Sequence, residues 1–221
     1  MTVEDPVSDS RLFLIKLEFE PDSIGKFIEW FTAVHAPALL RAGFRTVNSF
    51  LYHGSDNRVF NIHEIIGDVI FGSDNYKHEI AIDSIFVNRI KKSIVSRSNS
   101  IYRQTAVFEA GLIQQPLTSL KVSLASPVVS LSNANPDSLN AWFERFSIQK
   151  IDVAGLYRTR FLKMDGEHPS GKSNEPDTQV LMEWFNLESA IEYFQNSTVP
   201  WSDVMLGKLI CRSISASFYV D

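Results

Sequence analysis

Between Leu12 and Glu20 apolar and polar residues alternate, with Phe13, Ile15, Leu17 and Phe19 on one face and Lys16, Glu18 and Glu20 on the other. A period of two predicts a half-buried strand. Pro21-Asp22-Ser23 then opens a helix, with Asp22 or Ser23 as its N-cap. Ile24, Phe27, Ile28 and Phe31 recur at i, i+3, i+4 and i+7, the spacing of one apolar stripe. Ala42-Gly43 ends the helical region, where Gly43 suits a left-handed C-cap. Phe44–His53 and Val59–Ile66 read as strands joined by the hairpin turn Gly54-Ser55-Asp56-Asn57. His78–Ser96 carries a second helix, and Ile101–Glu109 a fourth strand.

The same order recurs downstream. The run from Pro21 to Phe31 aligns with the run from Pro136 to Phe146, Ala42-Gly43-Phe44 with Ala154-Gly155-Leu156, and Ile62-His63-Glu64-Ile65 with Leu181-Met182-Glu183-Trp184. One loop insertion separates the later matches from the earlier ones. The second copy predicts strands over Leu117–Leu131, Leu156–Met164, Gln179–Phe185 and Cys211–Val220, and helices over Pro136–Lys150 and Glu188–Asn196. The chain is therefore expected to hold two βαββαβ repeats, 1–113 and 114–221, with the boundary between Gly111 and Pro116. Two helices cover one face of a four-stranded antiparallel sheet and leave the other bare. Two such sheets facing each other would bury both bare faces in one barrel of α+β class.

Composition narrows the partners. A net charge of −5 over 221 residues argues against nucleic acid, which needs clustered cations. The basic stretch from Arg89 to Arg103, with Lys91, Lys92 and Arg97, reads as the end of a helix. The lone Cys211 permits no intrachain disulfide and sits among alternating apolar positions, as a packing residue does. The segment from Met1 to Ser10 lacks the features of a signal peptide, and no apolar run reaches the ~20 residues that span a bilayer. A cytoplasmic location is expected, with no membrane partner; a homodimer is left open.

The pattern Phe27-x-x-Trp30-Phe31-x-x-x-His35-Ala36-Pro37-x-Leu39-x-x-x-Gly43-Phe44 resembles the dimeric α/β-barrel superfamily, most closely its EthD-type branch. The resemblance implies two ferredoxin-like units forming one barrel with a ligand pocket inside. It implies activities that range over cofactor-free monooxygenases, lactone isomerases, polyketide cyclases and haem-dependent relatives. The His-Ala-Pro motif occurs only in the first copy; Gln149-Lys150-Ile151-Asp152 stands near its place in the second. If a histidine is needed, only one half is active.

His35 is the first candidate, as a general base or a donor orienting substrate; the bland alternative is a helix-terminal residue bonding free carbonyls. His63 and Glu64 are neighbours on a strand and so point to opposite faces. Asn61 with His63 makes one face the more polar, and that face could line the barrel. Glu64 recurs as Glu183, which suggests a shared role, either lining the lumen or pairing with an arginine. Tyr52 and His53 end a strand, where pocket rims lie. Tyr157, Arg158 and Arg160 occupy the equivalent strand of the second copy. The two guanidiniums share a face and would hold a carboxylate or enolate oxygen, or else pair with the protein's own carboxylates, Glu183 or the exposed acidic surface. Trp30, Trp142, Trp184 and Trp201 read as aromatic bulk.

Gly166-Glu167-His168-Pro169-Ser170-Gly171-Lys172-Ser173 matches a phosphate-binding loop in letters only. No helix is expected after the Lys, so the run reads as a polar flap that could serve as a lid, rather than a nucleotide site. The histidines lack paired metal-ligand spacing, and no cofactor is called for. A spatial cluster of His35, His53 and His63 stays open. The leading expectation is a small-molecule enzyme: acid–base isomerisation, cyclisation or elimination, or cofactor-free oxygenation, of a hydrophobic or aromatic substrate. The alternatives are a non-catalytic small-ligand binder with a degenerate site, and a haem-binding relative with His35 or His63 as axial ligand.

Overall fold

A computed structural model describes residues 10–67, 69–109, 128–132, 137, 141, 142, 144, 154–166, 175–196 and 203–214. The chain divides into two compact units. One comprises 9–103, 165–175 and 209–221; the other comprises 1–8, 104–164 and 176–208. The repeat boundary expected at 113/114 lies outside the described residues, as do the flap residues 167–174 and Trp201.

In the first of these units, β1 (Ser10–Phe19) is followed by α1 (Ile24–Trp30), a π-helical turn (Phe31–His35) and α2 (Ala36–Arg41). Then come β2 (Thr46–Tyr52), β3 (Arg58–Ile66), a 3-10 turn (Val69–Gly72), α3 (Asp74–Lys91) and β4 (Ile94–Glu109). The strands are antiparallel in the order β2-β3-β1-β4. Phe13, Ile15, Leu17 and Phe19 of β1 share a core with Phe27 and Phe31 from the first helical segment and Ile90 from α3. One side of the sheet is therefore the helix side.

Several boundaries differ from the sequence expectation. β1 is not half-buried: Leu12 and Leu14, on the side expected to be polar, are buried too. The expected single helix is interrupted by the π turn. Ser23 occupies the cap position of α1 without a side-chain cap bond, while Asp22 takes a positive φ of 65°. The second helix starts at Asp74, where the Ser73 hydroxyl accepts from the Tyr76 N–H at 3.1 Å. It ends at Lys91, so Arg97 and Arg103 belong to β4 and not to a helix end. Ser96, Ser98 and Ser100 on alternate positions had hidden the first half of that strand. Gly43 does adopt positive φ, 105°, just beyond α2.

The other unit holds β5 (Val128–Ser132), β6 (Leu156–Gly166), β7 (Thr178–Trp184), α4 (Leu187–Asn196) and β8 (Asp203–Ile214). Its strands follow β6-β7-β5-β8, again antiparallel. β8 begins well before the expected Cys211, and 215–221 lie outside the described residues, as does the Cys211 side chain. The same holds for 117–127 of the strand expected over Leu117–Leu131. Within the helix expected over 136–150, Asp137, Ala141, Trp142 and Glu144 are described and helical. Asn186 Oδ1 accepts the Ser189 N–H at 2.8 Å and opens α4. Trp184 packs against Tyr193 and Phe194 of that helix. No described helix is long and apolar enough to cross a membrane.

Candidate active site

His35 owes its position to Pro37. Proline inside a helix lacks an N–H and crowds the carbonyl four residues earlier. Here the chain widens: the Ala36 N–H bonds to the Phe31 carbonyl, five residues back. The wider turn carries the ring of His35 onto Trp30, stacked at 4.5 Å between centroids. Asp83 reaches this pair from α3. Its Oδ2 lies 2.6 Å from His35 Nδ1, and its Oδ1 accepts from Trp30 Nε1 at 2.7 Å. Asp83 is buried, whereas His35 is part-exposed.

A carboxylate that accepts from both rings fixes the histidine tautomer. In the neutral form of the ring, Nδ1 carries the proton toward Asp83 and Nε2 holds the lone pair. One helical turn before Asp83, Glu79 accepts from Arg41 Nε at 3.0 Å and from Nη2 at 2.8 Å, clasping α2 to α3. The bond to Glu79 holds the Arg41 guanidinium above its ordinary pKa. His35 thus meets a carboxylate and not the free helix carbonyls.

His63 lies on the same, helix side of the sheet. It stands among Phe13, Phe31 and Phe44, with ring centroids 6.0, 6.1 and 5.9 Å away. It is fully buried. Burial, with the charge of His35 second, pushes its pKa down to about 3, so the ring is neutral.

Glu64 emerges on the other side of β3, where Arg45 Nη1 comes within 3.6 Å. That side also carries the stacked pair Phe50 and Phe60, centroids 5.0 Å apart. Tyr52 meets Phe60 edge-on at 5.9 Å, and Arg58 lies over the tyrosine ring. His53 is exposed in the following turn. The sheet therefore keeps His35 and His63 on one side and Glu64 and Tyr52 on the other. His53 joins neither group, so no cluster of three histidines forms. Among the described residues no three His, Cys, Asp or Glu side chains gather as metal ligands. A surface cleft of about 360 Å³, lined by Glu20, Ser23, Lys26, Ile90, Lys92 and Ser93, sits at the start of α1, away from His35.

In the second unit Arg158 and Arg160 pair with Glu183. Arg158 donates Nε at 3.1 Å and Nη2 at 2.7 Å, and Arg160 donates Nε at 2.7 Å. All three are buried. Burial pushes the Glu183 carboxyl up, but the two guanidiniums outweigh it and hold the group below its ordinary pKa. Of the two sequence readings for these arginines, this is the internal pairing. Tyr157 packs on Phe185 at 5.3 Å, beside the Arg158 guanidinium.

Sequence reasoning missed Asp83. The signal was present: Tyr76, Ile80, Asp83, Val87 and Ile90 form one stripe of α3, and a carboxylate interrupts an otherwise apolar face.

No protein-family model matches the chain, and no curated protein sequence matches it. Solved structures do. An anthrone oxidase-like protein superposes with a TM-score of 0.66 at 11% identity, covering 96% of each chain. A candidate monooxygenase from Fusobacterium nucleatum subsp. nucleatum gives 0.57 at 7% identity, over 94% of this chain and 95% of that one. A candidate monooxygenase from Lactobacillus acidophilus gives 0.53 at 12% identity, over 93% and 96%. At such identities the likeness shows the fold alone.

Proposed function

We propose that the chain is a small-molecule enzyme whose proton-transfer group is His35, oriented by Asp83, acting on a hydrophobic or aromatic substrate. The observation that carries this reading is the contact between Asp83 Oδ2 and His35 Nδ1. A buried carboxylate holding one imidazole nitrogen leaves the other as a positioned base, with water able to reach the part-exposed ring. The neighbouring rings of Trp30 and Phe31 suit an apolar, flat ligand. The named neighbours favour oxygenation over isomerisation, cyclisation or elimination.

In this reading the chain is a duplication divided at 113/114, in the manner of EthD-like tandem repeats, and only its first copy keeps the base. Support comes from the shared strand order and from the His-Ala-Pro run, which the sequence carries only at His35-Ala36-Pro37. In this reading Arg158, Arg160 and Glu183 serve one another, and Glu64 and Tyr52 serve the face of the first sheet away from the helices, rather than binding substrate.

The experiment is oxygen uptake with anthrone and with a panel of hydroquinones, comparing wild type, His35→Ala and Asp83→Asn. Loss of the base should lower kcat by 10²–10⁴-fold with little change in KM. Turnover by His35→Ala equal to wild type would overturn the reading. A ligand binder would show affinity for the panel and no turnover in any form. A haem relative would announce itself by a Soret band. His63, enclosed by phenylalanine rings, does not fit an axial ligand. His35 does, because metal-bound histidines give their second ring nitrogen to a carboxylate.

A further inference from the structure

The helix side of the first sheet contains more polar chemistry than a core requires. Ser49 and Asn61 stand directly opposite each other on β2 and β3. His63 follows Asn61 two residues along the same face. All three are buried. Among the described residues, the Ser49 hydroxyl, the Asn61 amide oxygen and both ring nitrogens of His63 have no hydrogen-bond partner. Facing Cβ atoms on paired strands lie about 5 Å apart, and i, i+2 neighbours about 7 Å, so these groups reach one small volume. Leaving so many buried polar atoms unmet is costly, and proteins as a rule meet them with another protein group or an ordered water.

The second sheet provides a control within the same chain. Placing Glu183 on Glu64 puts Met182 at His63, Val180 at Asn61 and Phe161 at Ser49, with matching pairings on β6 and β7. All three are buried. Among the described residues the unmet polar groups beside them are the Thr159 hydroxyl and Trp184 Nε1. Packing a sheet of this order against helices therefore does not need an amide or an imidazole at these positions.

We propose that Ser49, Asn61 and His63 form an internal site for a neutral hydroxyl oxygen, supplied by a resident water molecule or by a bound ligand. The Asn61 amide oxygen can only accept and the N–H of a neutral imidazole can only donate, so a guest that reaches both must donate and accept. A hydroxyl does both; a carboxylate or phosphate cannot donate, and an ammonium cannot accept. The neutrality of His63 agrees with this choice, since a charged ring would invite an anion. Phe13, Phe31 and Phe44 around the imidazole would exclude bulk water and hold an aromatic ring attached to that hydroxyl. The site lies beside the His35 dyad but does not depend on its being catalytic.

The test pairs a high-resolution crystal structure with titrations of 1-naphthol and naphthalene, which differ only in the oxygen. A site built for a hydroxyl rejects the analogue that lacks it. Wild type should bind 1-naphthol at least tenfold more tightly, and Asn61→Val/His63→Met, which installs the second sheet's residues, should abolish the preference. Ser49→Ala, a smaller change, should weaken it. An ordered water on His63 with no naphthol preference would identify water as the guest. A dry site with no preference, or a preference that survives the double substitution, would overturn the proposal. Intact naphthol selectivity in a His35→Ala protein whose turnover is also intact would sink the dyad reading while leaving this one standing.

Discussion

Asp83 Oδ2 lies 2.6 Å from His35 Nδ1 across a sequence separation of 48 residues, joining the π turn to α3. The same carboxylate holds Trp30, so it governs both the tautomer and the stacking of the histidine. Asp83→Asn should lower kcat roughly 10- to 100-fold, the range typical when the partner behind a functional histidine is changed. KM should move little, because an amide oxygen can still accept from Trp30 Nε1. Trp30→Phe keeps a ring against His35 but removes the donor, so its effect should be the smaller. Equal kcat in Asp83→Asn and wild type would show that the pair is structural.

His63 should make the protein acid-sensitive. Its folded pKa, about 3, lies below the ~6.5 of an unfolded histidine. Below pH ~6.5 the unfolded chain binds a proton that the folded chain refuses, so stability falls as pH drops. The loss continues until about pH 3 and totals on the order of 5 kcal/mol. Urea unfolding of wild type and His63→Met between pH 7 and 4 measures it. The substituted protein should show a flatter profile, and identical profiles would refute the assignment.

The Arg158–Glu183–Arg160 cluster predicts a different asymmetry. Glu183→Gln leaves two guanidiniums buried around a neutral amide and should cost roughly 3–5 kcal/mol. Replacing all three by Met or Leu should recover much of that loss, because desolvation of the charges disappears with them. The folded pKa of Glu183 is depressed, so its stabilisation is present above the ordinary carboxylate pKa and is lost as pH falls through the folded value. Chemical denaturation of the single and triple variants decides the matter.

Two glycines with nearly the same backbone should respond differently to alanine. Gly54 and Gly155 have φ of 81° and 80°. A Cβ on Gly54 meets open space, so Gly54→Ala should cost only the roughly 1–2 kcal/mol of a left-handed residue. A Cβ on Gly155 would come within 2.5 Å of Ser189 at the start of α4. Gly155→Ala should therefore cost more, and Ser189→Gly should relieve part of the excess. Thermal unfolding of the three variants measures both effects.

The strands and helices around the first site were legible because their periods are local. The stripe Ile24, Phe27, Ile28 and Phe31 and the alternation Phe13, Ile15, Leu17 and Phe19 are set by backbone geometry acting on neighbours. The start of β4 was not legible, since alternate serines carry little apolar signal. The π turn was not foreseen either, although Pro37, its cause, is plain in the sequence.

What the sequence determined by itself was the element order, the recurrence of that order in two parts of the chain, and the placement of His63 and Glu64 on opposite faces, because strand alternation allows nothing else. It also singled out His35 and the shared glutamates. Tertiary structure alone decided which face meets the helices, that Asp83 supports His35, that Glu183 takes both arginines, and that Ser49, Asn61 and His63 are buried together. These relations join residues far apart in sequence, and burial and charge pairing depend on which surfaces the packed layers bring into contact.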